Sequence, residues 1–198
     1  MKKLLVLALT LAAAPFAATA GEHSYTYVEL DANRQVIEST GSDLDLDGFA
    51  VKGSFEFAES FSVFGGYQRG EESLRSNFGP SVDFTGEQAH IGLGYHHGVS
   101  DSTDLLVEVS YIKSQADIEG FEVIDGDDGR VSVGVQSALG EKVDAWVKAN
   151  YTDGDVYDSE FSATAGLLVK FNKTWGLVGE IEAGDDVTNY GIGVRASF

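Results

Sequence analysis

The closing segment of the chain places Tyr190, Ile192, Val194, Ala196 and Phe198 on one side of an extended backbone and Asn189, Gly191, Gly193, Arg195 and Ser197 on the other. That is the period-two pattern of a strand with one apolar face. The same alternation marks ten segments, near Tyr25 to Leu30, Leu46 to Phe57, Phe61 to Arg69, Glu87 to His97, Asp104 to Lys113, Arg130 to Leu139, Val143 to Thr152, Glu160 to Phe171, Trp175 to Gly184 and Asn189 to Phe198. No segment shows a helical period. The connections at 58–60, 99–103, 140–142 and 172–174 are short, whereas those at 31–45, 70–86, 117–129 and 153–159 are longer. An even number of strands with short turns on one side and long loops on the other is the layout of a closed antiparallel transmembrane barrel. The link at 185–188 is short for an outer loop.

Depth sorts the apolar faces. With the short turns facing the periplasm, Phe55, Phe57, Phe61, Tyr95, Phe171, Trp175 and Phe198 fall at the lower border. Phe49, Tyr67, Tyr111, Tyr151, Phe161 and Tyr190 fall at the upper one, with aliphatic residues such as Val51, Val63, Ile91, Val107, Val109, Val133, Val147, Leu167 and Val194 between. Two aromatic rows around an aliphatic band are what a barrel carries where it crosses the two lipid interfaces. The first strand is the hardest to orient. Turning Tyr25 and Tyr27 toward lipid would also put Glu29 there at mid-depth, so Val28 and Leu30 are assigned outward and Tyr25, Tyr27 and Glu29 inward. Mispairing of this strand would leave eight.

Ahead of the barrel, Lys2 and Lys3 precede an apolar run from Leu4 to about Ala14, then Pro15 and Ala18-Thr19-Ala20. This order reads as a secretory signal peptide cleaved after Ala20, and the run is shorter than the roughly 20 residues of a spanning helix. Residues 1–20 are thus expected to be the signal and 21–198 one barrel domain. The chain has no cysteine, 24 glycines and 2 prolines, with a formal net charge of -19. Disulfides and thiolate metal sites are excluded. Nucleic acid is an unsuitable partner, since phosphate binding calls for clustered Lys and Arg.

The layout resembles the small outer-membrane β-barrels of Gram-negative bacteria, the OmpX and opacity-protein type, over essentially the whole mature chain. The segments Asp47-Gly48-Phe49-Ala50-Val51-Lys52-Gly53-Ser54 and Phe61-Ser62-Val63-Phe64-Gly65-Gly66-Tyr67 also look like the small xanthomonad-type barrels linked to cell-to-cell signalling. The resemblance implies an outer-membrane location, with release in vesicles as a further implication, and supplies no catalytic residues.

The inward positions are mainly small and polar, with Lys52, Glu56, Glu108, Asp144, Lys148, Lys170, Glu180, Glu182 and Arg195 among them. Mixed signs at similar depth point to an internal ion-pair network, whose expected members are Glu29, Lys52, Glu108, Lys148, Glu180 and Arg195. Tyr190, Ile192, Val194 and Phe198 are the expected assembly signal. His90 and His96 face the lumen and His97 the lower rim, but no nucleophile with an activating partner is evident, and no enzymatic activity is expected. Asp43, Asp45 and Asp47 match the opening of a calcium loop whose twelfth position is Ser54 instead of Glu, so they are weak metal candidates. The other loops are also acidic, as at Asp125, Asp127, Asp153 and Asp185. No cofactor is expected beyond loosely bound divalent cations. Outer-membrane lipids and the barrel assembly machinery are the expected partners of a monomer. The expected function is that of a charge-plugged surface protein acting in envelope or surface interactions; the alternatives are a narrow channel for ions or small solutes and a membrane-embedded hydrolase.

Overall fold

A computed structural model describes residues 23–38, 44–74, 81–118 and 121–198. The expected signal segment and Asp43 lie outside the described residues. Ten strands follow one another: β1 Tyr27–Ile37, β2 Leu44–Ala58, β3 Phe61–Leu74, β4 Val82–Ser100, β5 Thr103–Ile118, β6 Phe121–Gly140, β7 Val143–Gly154, β8 Glu160–Lys170, β9 Trp175–Ala183 and β10 Val187–Ser197. Each pairs antiparallel with its neighbour, and β1 pairs with β10 from Tyr27 opposite Ser197 to Ile37 opposite Val187, closing the barrel. Closure leaves no strand edge to pair with another chain, and in lipid it satisfies every backbone group of the wall. Past the last ladder pair, the Phe198 N–H donates to the Thr26 carbonyl at 2.9 Å, and Ser24 Oγ donates to the Phe198 carbonyl at 2.8 Å.

The barrel is inverted relative to a globular core. Ile91, Leu93, Val109, Val133, Val147 and Ile192 are exposed on the outer wall, while Asp31, Asp144, Ser132, Thr164 and Arg195 are buried inside. An apolar surface running around the whole wall would not be stable in water and is the lipid-facing belt. Leu30 is 57 % exposed and Glu29 only 1 %, so the first strand has the parity read from the sequence. At the lower border Phe57, Phe61 and Tyr95 form a row with ring centres 6.4 and 5.2 Å apart. At the upper border Phe49 meets Tyr67 at 6.2 Å and Tyr151 meets Phe161 at 5.0 Å.

The strands are longer than the sequence pattern indicates. Most of 70–86 and 117–129, read above as loops, continues the ladders, with Leu74 opposite Val82 and Lys113 opposite Asp127. Backbone pairing needs no apolar face. Above the lipid the outer face meets water, so the alternation fades while the hydrogen bonds persist. Conversely, Tyr25 precedes β1 instead of belonging to it.

Candidate functional site

Inward side chains from six strands meet at mid-height in the lumen. Lys52 on β2 reaches Glu29 Oε1 at 3.2 Å, Asp31 Oδ2 at 3.1 Å and Glu180 Oε1 at 3.0 Å. Glu180 also accepts a hydrogen bond from the Trp146 indole N–H at 2.9 Å. This chain of contacts ties β2, β9 and β7 together across the interior. Arg195 Nε donates to Glu29 Oε2 at 2.6 Å, and its guanidinium lies 4.0 Å from the Tyr27 ring centre and 5.1 Å from that of Trp146. Lys148 Nζ donates to Glu108 Oε2 at 3.1 Å. Higher up, Arg130 on β6 reaches Glu182 on β9, Nη1 donating to Oε2 at 3.2 Å and Nη2 lying 3.1 Å from Oε1, while its Nε donates to Thr152 Oγ1 at 2.9 Å.

Glycines make room for these groups. A Cβ on Gly166 would overlap the Trp146 indole, and one on Gly193 would overlap Asp31. Buried charges of this kind are tolerated only when paired, and they fix the arrangement more than they stabilise it. Trp146 also packs with Leu168 and Val178 in a small apolar cluster. Beside the network runs a polar cavity of about 210 Å³ whose lining extends from Ser24 and Tyr25 at the bottom to Tyr157 at the top. That space holds on the order of a dozen water molecules.

A segment of the chain reaches inward at each end of the lumen. At the outer end the loop after β7 turns inward, the Val156 and Tyr157 N–H groups donating to Asp128 Oδ1 at 2.9 and 3.0 Å, and Gln88 Nε2 donates to the Tyr157 hydroxyl at 3.2 Å. At the periplasmic end residues 23–25 cross beneath the barrel. Tyr25 donates to Asp104 Oδ2 at 2.6 Å and stacks on His96 with ring centres 3.8 Å apart. His23 Nε2 lies 3.2 Å from the Ser102 carbonyl, and Nδ1 lies 3.2 Å from Gln136 Nε2 and 3.7 Å from Asp144 Oδ1. Burial works against protonation of His23, but Asp144, the Ser102 carbonyl and Asp104 outweigh it and hold its pKa above the ordinary value.

All six residues expected in the network, Glu29, Lys52, Glu108, Lys148, Glu180 and Arg195, lie inside the barrel, in two groups. Glu108 and Lys148 pair with each other; the other four connect through Lys52 and Glu29. The sequence pattern does not single out Asp31, which falls in an expected loop, or Trp146 and Arg130; Tyr25 is expected inward, but as part of the first strand. Parity alone turns Trp146 and Arg130 inward once Val147 and Val131 face out, so that signal was present. Nothing in the pattern indicates that 23–25 fold under the mouth.

The histidines are dispersed. His90 packs 6.1 Å from Phe64, His96 stacks on Tyr25, and His97 stacks on Tyr95 at 6.3 Å on the outer wall. Among the described residues no three His, Cys, Asp or Glu side chains converge as a metal site. Asp45 and Asp47 instead flank Arg34 at 4.0 and 2.7 Å.

Comparison with known proteins agrees with this architecture. A family model described as the outer membrane protein beta-barrel domain matches residues 4–198. The chain belongs to that family. It is therefore an outer-membrane barrel of the Gram-negative envelope. Among solved structures, the translocator domain of the autotransporter NalP from Neisseria meningitidis is similar at a TM-score of 0.54 and 13% identity, covering 100% of this chain and 95% of that one. The β domain of the Bordetella autotransporter BrkA gives 0.54 and 13%, covering 87% and 98%. Neisserial surface protein A gives 0.46 and 16%, covering 88% and 98%. At these identities the likeness concerns the fold. No curated protein sequence matches the chain.

Proposed function

We propose that this barrel is a non-enzymatic surface protein with a plugged lumen, its acidic outer loops meeting envelope components or external partners. The observation that carries this reading is the set of ionic contacts crossing the interior, Lys52 to Glu180 and Arg130 to Glu182, with Trp146 and Arg195 packed between strands. Paired charges spanning a narrow lumen obstruct it. The aromatic rows suit contact with outer-membrane lipids, and the acidic loops suit weak bridging to phosphorylated headgroups through divalent cations. The C-terminal strand, with Tyr190, Ile192 and Val194 exposed on the outer wall and Phe198 following it, suits recognition by the assembly machinery. Deleting Phe198 should lower the membrane-inserted, heat-modifiable fraction while export continues; unchanged insertion would remove that role.

The polar cavity beside the network favours a second reading, a narrow channel for ions or small solutes. The Lys148→Ala, Glu180→Ala double variant separates the two. If the network is the plug, the variant's ion conductance should rise measurably above the wild-type baseline. Steady conduction by the wild type, with no change in the variant, would make the channel the function.

A further inference from the structure

We propose that residues 23–25 form a strap that narrows the periplasmic mouth and controls access of solutes larger than small ions from that side to the polar cavity above. This rests on the plugged reading, since it concerns what lies beneath the charge network. The strap leaves the β1–β10 seam, where Ser24 is fastened to the Phe198 carbonyl. Its far end reaches Gln136 on β6, and in the ring of ten strands β6 is diametrically opposite β1. A segment anchored at both ends of a diameter divides the opening and excludes larger solutes. Three further observations support this. Tyr25 is fixed on two sides, by Asp104 and by the His96 ring. The cavity takes its floor from Ser24 and Tyr25, so the strap is the surface between that space and the periplasm. The strap also lies outside the ladders, so it can swing away without breaking a strand pair; segments held by a few side-chain contacts open at low cost.

The chain contains no cysteine, which makes a thiol reporter clean. Ser62, buried and inward on β3, lines the cavity that Tyr25 floors. In the refolded mature barrel carrying Ser62→Cys, reaction with a quaternary-ammonium methanethiosulfonate should be slow. Adding His23→Ala with Tyr25→Ala should speed it by about tenfold or more, the consequence of losing a charge-assisted hydrogen bond and a stacked ring that hold the closed form. Tyr25→Phe, which keeps the stack and loses the bond to Asp104, should fall between. Heat-modifiable gel mobility confirms that each variant is folded. The Lys148→Ala, Glu180→Ala background with an intact strap reports access from above and so tests the charge plug separately. Equal, slow rates with and without the strap contacts in folded barrels would overturn the proposal, as would rapid reaction in the reporter with the strap intact.

Discussion

Arg195→Ala should be the most damaging change inside the barrel, lowering the stability of the refolded protein by about 3 kcal/mol. Glu29, only 1 % exposed, would lose its 2.6 Å partner, leaving Lys52 at 3.2 Å as its neighbouring cation. The guanidinium also fills the space between Tyr27 and Trp146, so its removal opens a gap beside two rings. Denaturant unfolding followed by the shift between folded and unfolded gel mobility reads the effect. Asp127→Ala is the control. Asp127 is exposed and shares Lys113 with Asp125, and an exposed pair of this kind contributes little. Combining Arg195→Met with Glu29→Gln removes both charges and should restore part of what Arg195→Ala alone loses, because the cost lies in the stranded carboxylate. Equal stability of Arg195→Ala and Asp127→Ala would show that the buried pair carries no special weight.

The second large effect belongs to the outer wall. Arginine at Val109 or Val133 puts a charge against lipid near mid-depth, at a cost of about 2–4 kcal/mol. Each is 49 % exposed on the wall, whereas the adjacent Ser132 is 4 % exposed and points inward. Ser132→Arg would enter a lumen that already holds charged groups and water, so its folded yield in lipid vesicles should exceed that of Val133→Arg. Equal loss of folding at all three positions would mean that the inner and outer faces are assigned wrongly.

The fold was legible because lipid imposes a strict rule on one face. From β2 to β10 the outward rows are mostly apolar, and aromatics at the ends of several of them, such as Phe49 and Phe57 on β2 or Phe61 and Tyr67 on β3, gave their depth. Glu29 served as the constraint on β1, since one carboxylate in lipid costs more than two tyrosines facing the lumen. What the pattern could not carry was structure beyond the membrane. The extensions of β4, β5 and β6 have water on their outer face, so nothing in the residue types required their ladders to continue. Asp31 was lost for a different reason: it lies buried in the lumen beside Lys52, yet in the sequence it opens the polar run 31–45 that reads as a loop.

The site was legible as a set of positions but not as contacts. Parity placed Lys52, Lys148, Glu180 and Arg195 in the lumen, yet which carboxylate each cation takes depends on side-chain reach across the interior. Arg195 selects Glu29 on the neighbouring strand, while Glu180 is held by Lys52 and Trp146. Glycines decide the outcome as much as charges do, because Gly166 allows Trp146 to lie flat where any side chain would displace it. The strap was legible only in part, since Tyr25 was expected inward but as the start of the first strand. His23 and Tyr25 are placed by contacts to Ser102, Gln136, Asp104 and His96, and Ser24 by Phe198, contacts that exist only once the barrel has closed.

Planar-bilayer recording of the refolded wild-type barrel tests the plugged interior most directly. The contacts of Lys52, Arg130, Lys148 and Arg195 across and along the lumen predict a silent membrane or brief flickers from a closed baseline. A steady open current at single-molecule level would contradict the plug.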